Sequence, residues 1–357
     1  MSIQKVALIV PNNVWFCPYV SIYLEVLKAH HLDYDIISWN RDGKEEDAIQ
    51  FNYKPKSRNP LIVIWSYWKF SLFVKKIIKK NGYERLIVFT PLSGIFLSSF
   101  LKKGYKGRYI FDYRDLSIEQ KSYFKRPFLT VLRNSYANVI SSPGFKNYLP
   151  TQFNYYISHN FEVASVRKAL AAECELVINT NPIDVLTIGG IRDYESNVQI
   201  LDHLANQEGF YVRFVGKGNA SVQLEKRANE LKANNVSFEG YYQKEKEKDY
   251  ISETTFMNIY YPRKPSHDSA LSNRFYNSLI CKKPMITTKD TMQGYYAEKF
   301  HVGLAVEDCN GLQTKLNDFL SSLDKNSYAK ECNRLLKSFL IDYEKWESML
   351  YSFFNLS

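Results

Sequence analysis

The chain has 357 residues, long enough for two ordinary domains. With 45% hydrophobic and 15% aromatic residues it can bury two cores, which excludes wholesale disorder. Its net charge of +10 is uneven: Lys54 to Arg133 holds 18 Lys and Arg against 4 Asp and Glu, so the remainder is slightly acidic. The first ten residues enter a strand without the apolar run of a signal peptide, and no later run reaches the roughly 18 apolar residues of a spanning helix. Five scattered cysteines without metal-ligand spacing read as reduced thiols of a cytoplasmic protein, soluble or peripheral on a membrane.

Strand-like and helix-like runs alternate from the start. Val6–Pro11 reads as a strand, Tyr19–His30 as a helix and Tyr34–Ser38 as a strand. Leu61–Trp65 does not distinguish one element from another. Ser71–Lys80 is predicted helical, Arg85–Thr90 a strand, Ile95–Lys102 a helix and Tyr109–Asp112 a strand. A helix over Phe128–Ala137 and a strand over Val139–Ser141 close this first round. After an alanine-rich helical stretch within Asn154–Ile178, a second round begins near Asp184. Its strands are Val185–Ile188, Tyr211–Val215, Val236–Glu239 and Met257–Tyr260, with another opening at Met285. Helices over Glu195–Gln207, Val222–Ala233 and Lys246–Thr254 separate them. Short β-branched strands divided by helices predict parallel sheets covered on both faces.

The most specific segment is Ser272-Asn-Arg-Phe-Tyr-Asn-Ser-Leu-Ile-Cys-Lys-Lys-Pro-Met-Ile286. Leu271, Phe275 and Leu279 recur every fourth residue and suit a core face, while Asn273 and Asn277 share a different face. A helix opened by Ser272 or Asn273 leaves backbone N–H groups free, a seat for phosphate. The segment resembles the donor-binding helix of the GT-B glycosyltransferases, in particular retaining family 4, whose pattern runs roughly P-N-K-x-x-E-x-x-x-x-G-K-P-V-I. This chain has Ser272 in place of the proline, Asn277 in place of the acid and Lys282 in place of the glycine.

The resemblance implies an α/β protein of two Rossmann-like domains facing across a cleft. Residues 1–165 would form the acceptor domain, 166–340 the nucleotide-sugar donor domain, and 341–357 a C-terminal helix crossing back to the first domain. On the donor side, Thr187-Ile-Gly-Gly-Ile-Arg-Asp193 follows a strand and is similar to the family's G-x-x-R loop, so Gly190 and Arg192 are expected at the diphosphate. Lys217, in Gly216-Lys-Gly218, is a further phosphate candidate, although that spacing also occurs as a plain tight turn. Asn273 and Arg274 would complete the phosphate site. Tyr241 or Tyr242 would stack on the base, and Asn277 would meet the ribose. Asp268 and Ser269 stand where the family has a sugar-contacting acid.

On the acceptor side, the loop with Asn12, Asn13 and Trp15 follows the first strand. Asp112-Tyr-Arg-Asp115 resembles the D-x-R-D of some capsule and lipopolysaccharide transferases, making Asp115, Asp112 and Arg114 the catalytic candidates; a strand-end salt-bridge turn is the competing reading. His159 is expected to be structural. No Asp-x-Asp motif of the manganese-binding kind occurs, so neither metal nor other cofactor is expected. The basic aromatic block, with Trp65, Trp68, Lys75, Lys76, Lys79 and Lys80, suits an anionic bilayer or a solvated face. Single-stranded nucleic acid is a third, weaker fit.

The resemblance thus implies transfer of a sugar, UDP-linked for preference, to a lipid-linked or saccharide acceptor in bacterial surface polysaccharide synthesis. The work would be done at the inner face of the cytoplasmic membrane. The alternatives are a nucleotide-sugar epimerase of the same architecture and a non-catalytic nucleotide-sugar-binding subunit.

Overall fold

The computed structural model describes residues 5–57, 59–172 and 178–356. The chain divides into two compact units, Met1–His159 with Asp342–Ser357, and Asn160–Ile341.

The first unit is built on strands β1 (Val6–Val10), β2 (Tyr34–Asn40), β3 (Ile49–Asn52), β4 (Arg85–Phe89), β5 (Tyr109–Tyr113), β6 (Ala137–Ile140) and β7 (Tyr155–Ile157). They form one sheet in the order β3-β2-β1-β4-β5-β6-β7, with every pairing parallel. The central strands β1 and β5 are buried along their whole length, as a sheet covered on both faces requires. The edge strands β3 and β7 carry Gln50, Asn52 and two tyrosines, a composition that hides them from an apolar-run reading. A helix over Pro60–Asn81 absorbs the undecided Leu61–Trp65 run. Asn59 caps its first turn through Leu61 N–H, Pro60 presets its entry, and Gly82 ends it in the left-handed region.

The second unit repeats the plan with β8 (Ile183–Ile188), β9 (Phe210–Val215), β10 (Val236–Glu239), β11 (Phe256–Ile259), β12 (Met285–Thr288) and β13 (Gly303–Val306). Their order is β10-β9-β8-β11-β12-β13, again all parallel. Both sheets therefore reverse direction beside their first strand, and such a switch point opens a crevice beyond the carboxyl ends of the strands.

The last helix runs from Lys325 to Phe354. Its earlier residues, Leu335, Leu336 and Phe339, are buried in the second unit, where Phe339 packs on Tyr276. Its final turns belong to the core of the first unit. There Trp346 is fully buried edge-on to Tyr23, with ring centroids 5.0 Å apart. The four described cysteines are free thiols.

Candidate active site

At the end of β8 the backbone turns through Gly189, whose φ of +94° favours glycine. The neighbouring loop after β9 lies so close that a Cβ on Gly216 would overlap the Gly189 carbonyl, and one on Gly218 the Ile191 carbonyl. Both glycines of the Gly216-Lys-Gly218 turn therefore serve loop-on-loop packing. Lys217 is exposed and sits 5.2 Å from the ring of Tyr241, itself 87% exposed. Neither residue lines the cavity described next.

That cavity, about 360 Å³, lies at the ends of β8, β11 and β12. Of the residues that the sequence reading named, Gly190, Arg192, Tyr242, Asn273 and Arg274 line it, whereas Asn277 does not. Arg192 makes no hydrogen bond or ion pair among the described residues and is exposed. Arg274 is tied down: its Nε donates to Ile188 O at 2.5 Å and its Nη2 to Gly190 O at 3.0 Å. It thus fixes the glycine turn and holds a positive charge there.

The Asn273–Ile280 helix is capped by Ser272, whose Oγ accepts from Phe275 N–H, while Gln293 Oε1 accepts from Ser272 N–H and Oγ–H. The backbone N–H groups of Asn273 and Arg274 have no partner among the described residues. They and the helix dipole present positive potential to the cavity. The helix ends in a Schellman motif: Lys282 N–H donates to Leu279 O and Lys283 N–H to Ser278 O, with Lys282 at a φ of +51°. A lysine thus adopts the left-handed conformation for which glycine would be the default.

The sequence reading missed Glu247. It is 7% exposed, lies at the start of the Glu247–Glu253 helix and lines the cavity. Its Oε1 accepts from Asn277 Nδ2 at 2.5 Å, and its Oε2 from Tyr242 O–H at 2.9 Å and Lys244 Nζ at 2.5 Å. Burial and the Glu247 charge push the Tyr242 phenol up, so Tyr242 stays a neutral donor. Glu247 and Asn277 stand thirty residues apart in sequence, and nothing in the local pattern around Glu247 marks it. Only the packing of its helix against the Asn273–Ile280 helix brings the two together.

Before that helix, the short helix Pro265–Ser269 carries His267, which lines the cavity. Its Nδ1–H donates to Pro262 O at 3.0 Å, which leaves Nε2 as an acceptor. Asp268 forms a two-pronged pair with Arg263, and Ser269 is buried with its hydroxyl on Pro265 O. Neither lines the cavity, because both are spent on holding this segment.

In the first unit, Asp112 is fully buried at the end of β5. Its Oδ2 accepts from Arg114 Nη2 at 2.5 Å and from Tyr23 O–H at 2.7 Å, and Arg114 also donates to Ser158. Burial and the Asp112 charge hold Tyr23 well above the usual phenol range. The pair is the salt-bridge turn of the competing reading, closed on itself. Asp115 is exposed, with its Oδ1 on Leu116 N–H. His159 is buried and bonded to Asp342 at 3.2 Å, and burial lowers its pKa. In the loop after β1, Asn13 is fully buried as a structural amide, whereas Trp15 is 51% exposed and stacked on Phe16.

On the Pro60–Asn81 helix, Leu61, Trp65, Trp68 and Leu72 are exposed at helical spacing, and the two indoles stack 4.6 Å apart. The stripe runs toward Lys76, Lys79 and Lys80, which are exposed; Lys75 is half-buried, with its pKa lowered by burial and then by Lys79. No helix among the described residues is long and apolar enough to cross a membrane.

Two parallel α/β units with these strand orders define the GT-B fold. Among solved structures, the chain is similar to sucrose-phosphate synthase from Thermosynechococcus elongatus, with a TM-score of 0.69 at 16% identity over 99% of this chain and 100% of that one. It is similar to HepE from Anabaena in complex with UDP, with a TM-score of 0.66 at 11% identity over 98% and 100%. It is also similar to the UDP-GlcNAc 2-epimerase from Methanocaldococcus jannaschii, with a TM-score of 0.56 at 12% identity over 95% and 100%. No protein-family model and no curated protein sequence matches the chain.

Proposed function

We propose that the chain is a glycosyltransferase that takes a sugar from a nucleoside diphosphate sugar, with the second unit binding the donor and the first the acceptor. The observation that carries this reading is the cavity at the end of β8, where the unpaired Arg192 joins the free N–H groups of Asn273 and Arg274. Such fixed positive groups stabilise a departing diphosphate without reorganising. Glu247 accepts one hydrogen bond on Oε1 and two on Oε2, which leaves Oε1 open to a ribose hydroxyl. Charge neutralisation by Arg192 and Arg274 makes the donor site metal-independent. UDP is the favoured nucleotide, because HepE is similar across nearly the whole chain and was solved with UDP.

With Asp112 enclosed, the acceptor proton passes to the leaving phosphate in a retaining reaction, or to the exposed Asp115 in an inverting one. The acceptor is a lipid-linked saccharide of a bacterial surface polysaccharide, such as capsule or lipopolysaccharide. The stripe of Leu61, Trp65, Trp68 and Leu72 running into lysines rests the first unit on the anionic inner face of the cytoplasmic membrane. In a flotation assay, Trp65→Ser with Trp68→Ser should release the protein from anionic vesicles; undiminished binding would remove this face from the reading.

Thermal shift against UDP, GDP, CDP and ADP, with and without EDTA, tests the donor site. Selective stabilisation by one of them, unchanged by EDTA, is expected, on the order of 2.7 kcal/mol at a hundred times Kd. No response to any nucleotide would sink the proposal. A second reading, a nucleotide-sugar epimerase, draws on His267 and Glu247 lining the same cavity. Acceptor-free interconversion of UDP-GlcNAc and UDP-ManNAc would favour it over transfer.

A further inference from the structure

The first unit carries a second cavity, about 450 Å³, beyond the carboxyl ends of β2 and β3. A ladder of three amides, of which Asn13 and Asn40 are buried, supports it. Asn13 Oδ1 accepts from the N–H groups of Arg41 and Asp42, and Asn13 Nδ2 donates to Asn40 Oδ1 at 3.0 Å. Asn40 in turn donates to Asn52 Oδ1 at 2.9 Å and accepts from Gly43 N–H, where the chain turns at a φ of +76°. That turn fixes Arg41. Its guanidinium lies 4.0 Å from the centre of the Trp39 ring and 5.4 Å from that of Tyr67.

Held in this way, the Arg41 guanidinium stays unpaired within the described protein. Its Nε and Nη2 are buried without a hydrogen-bond partner, and it forms no ion pair among the described residues. Arg41 lines the cavity, so its planar, permanently charged guanidinium is presented to an anion there. Lys54, exposed and without a partner among the described residues, lines the same cavity.

The other lining groups suit a polyol. Asp42 and Glu45 are exposed carboxylates outside any ion pair among the described residues, and Gln50 keeps its Oε1 open because only its Nε2 is engaged, on Lys44 O. Tyr53 adds an aromatic ring. Lys69 links the cavity to the apolar stripe: its Nζ lies 4.7 Å from the Tyr53 ring and 5.6 Å from that of Trp65.

The geometry points to a binding site for a phosphorylated saccharide, with the phosphate on Arg41 and Lys54 and the hydroxyls on Asp42, Glu45 and Gln50. In the glycosyltransferase reading, on which this assignment of role rests, the site holds the glycosyl phosphate end of a lipid-linked acceptor whose chain lies along the stripe.

Calorimetric titration of the full-length protein at saturating UDP tests it, with glucose 1-phosphate, inorganic phosphate, methyl glucoside and glucuronate as probes. Glucose 1-phosphate should bind the wild type, weaken by about tenfold or more in Arg41→Gln, and weaken several-fold in Lys54→Gln, as loss of a charge-assisted hydrogen bond requires. Lys54→Gln changes an exposed side chain and keeps the test open should Arg41→Gln fail to fold. No binding of glucose 1-phosphate, or equal binding by the wild type and both variants, would overturn the site. Equal binding by inorganic phosphate would overturn its saccharide half, and equal binding by glucuronate the phosphate assignment. UDP affinity measured separately on the same variants should not change. A protein that binds glucose 1-phosphate through Arg41 but no nucleotide would sink the donor reading and leave this site standing.

Discussion

Two polar clusters, one in each unit, lie at the carboxyl ends of interior strands, and they are built to opposite ends. At the end of β5, Arg114 and Tyr23 both donate to Asp112 Oδ2, and Asp112 is wholly buried. At the end of β8, Arg192 is left without a partner and Glu247 keeps an acceptor position open over a cavity. The first pairs its two charges with each other; the second leaves Arg192 unpaired beside a cavity. Position at a strand end is therefore not enough to mark a site, because what decides is whether the charged groups find partners inside the protein.

The comparison breaks most sharply at Asp112. Replacing it with Ala leaves the Arg114 guanidinium buried and uncompensated, a loss of about 3–5 kcal/mol that calorimetric unfolding would show. A variant with wild-type stability and no transfer activity would move Asp112 back among the catalytic groups. Arg192→Ala should do the reverse. Its Kd for UDP should rise about tenfold or more, while stability stays within about 0.5 kcal/mol, since the side chain is exposed. Glu247→Gln should weaken UDP several-fold by removing the charge that faces the open position; unchanged affinity with a lowered Tm would make Glu247 purely structural.

His159 sharpens the comparison through pH. Burial lowers its pKa below the ordinary 6.5, against the hydrogen bond and charge of Asp342, which raise it. The unfolded chain therefore takes up a proton that the native one resists, so the stability His159 contributes above pH 6.5 is lost as pH falls below that value. His159→Gln should flatten the decline of Tm between neutral and mildly acidic pH; an identical slope would mean that other groups set it. The smallest effect is expected at Lys282. Lys282→Gly relieves a left-handed lysine and should stabilise the second unit by about 1 kcal/mol, because the bond lost to Ala169 O is long. Destabilisation would show that the buried stem of Lys282 matters more than its backbone.

Much of the cavity in the second unit was legible in the sequence, because its signals are local. The Ser272 cap, the fourth-residue spacing of Leu271, Phe275 and Leu279, and the glycine turn before Arg192 each follow from neighbours in the chain. The edge strands β3 and β7 were not legible, since edge strands need no apolar alternation on both faces. Asp268 illustrates the opposite error. It stood beside the expected position, yet Arg263, five residues earlier, engages it fully.

By itself, the sequence determined the alternation of short buried strands with helices, and with it the two parallel sheets. It also determined the helix start with free N–H groups at Asn273, because caps and periodicity act within a turn or two. Only the tertiary structure decided which charges were left over. It set Glu247 against Asn277, closed Asp112 onto Arg114 and stacked Arg41 on Trp39 without an ion-pair partner among the described residues. The physical reason is that a charged side chain serves a ligand only when folding has not already given it a partner, and such partners come from elements distant in the chain.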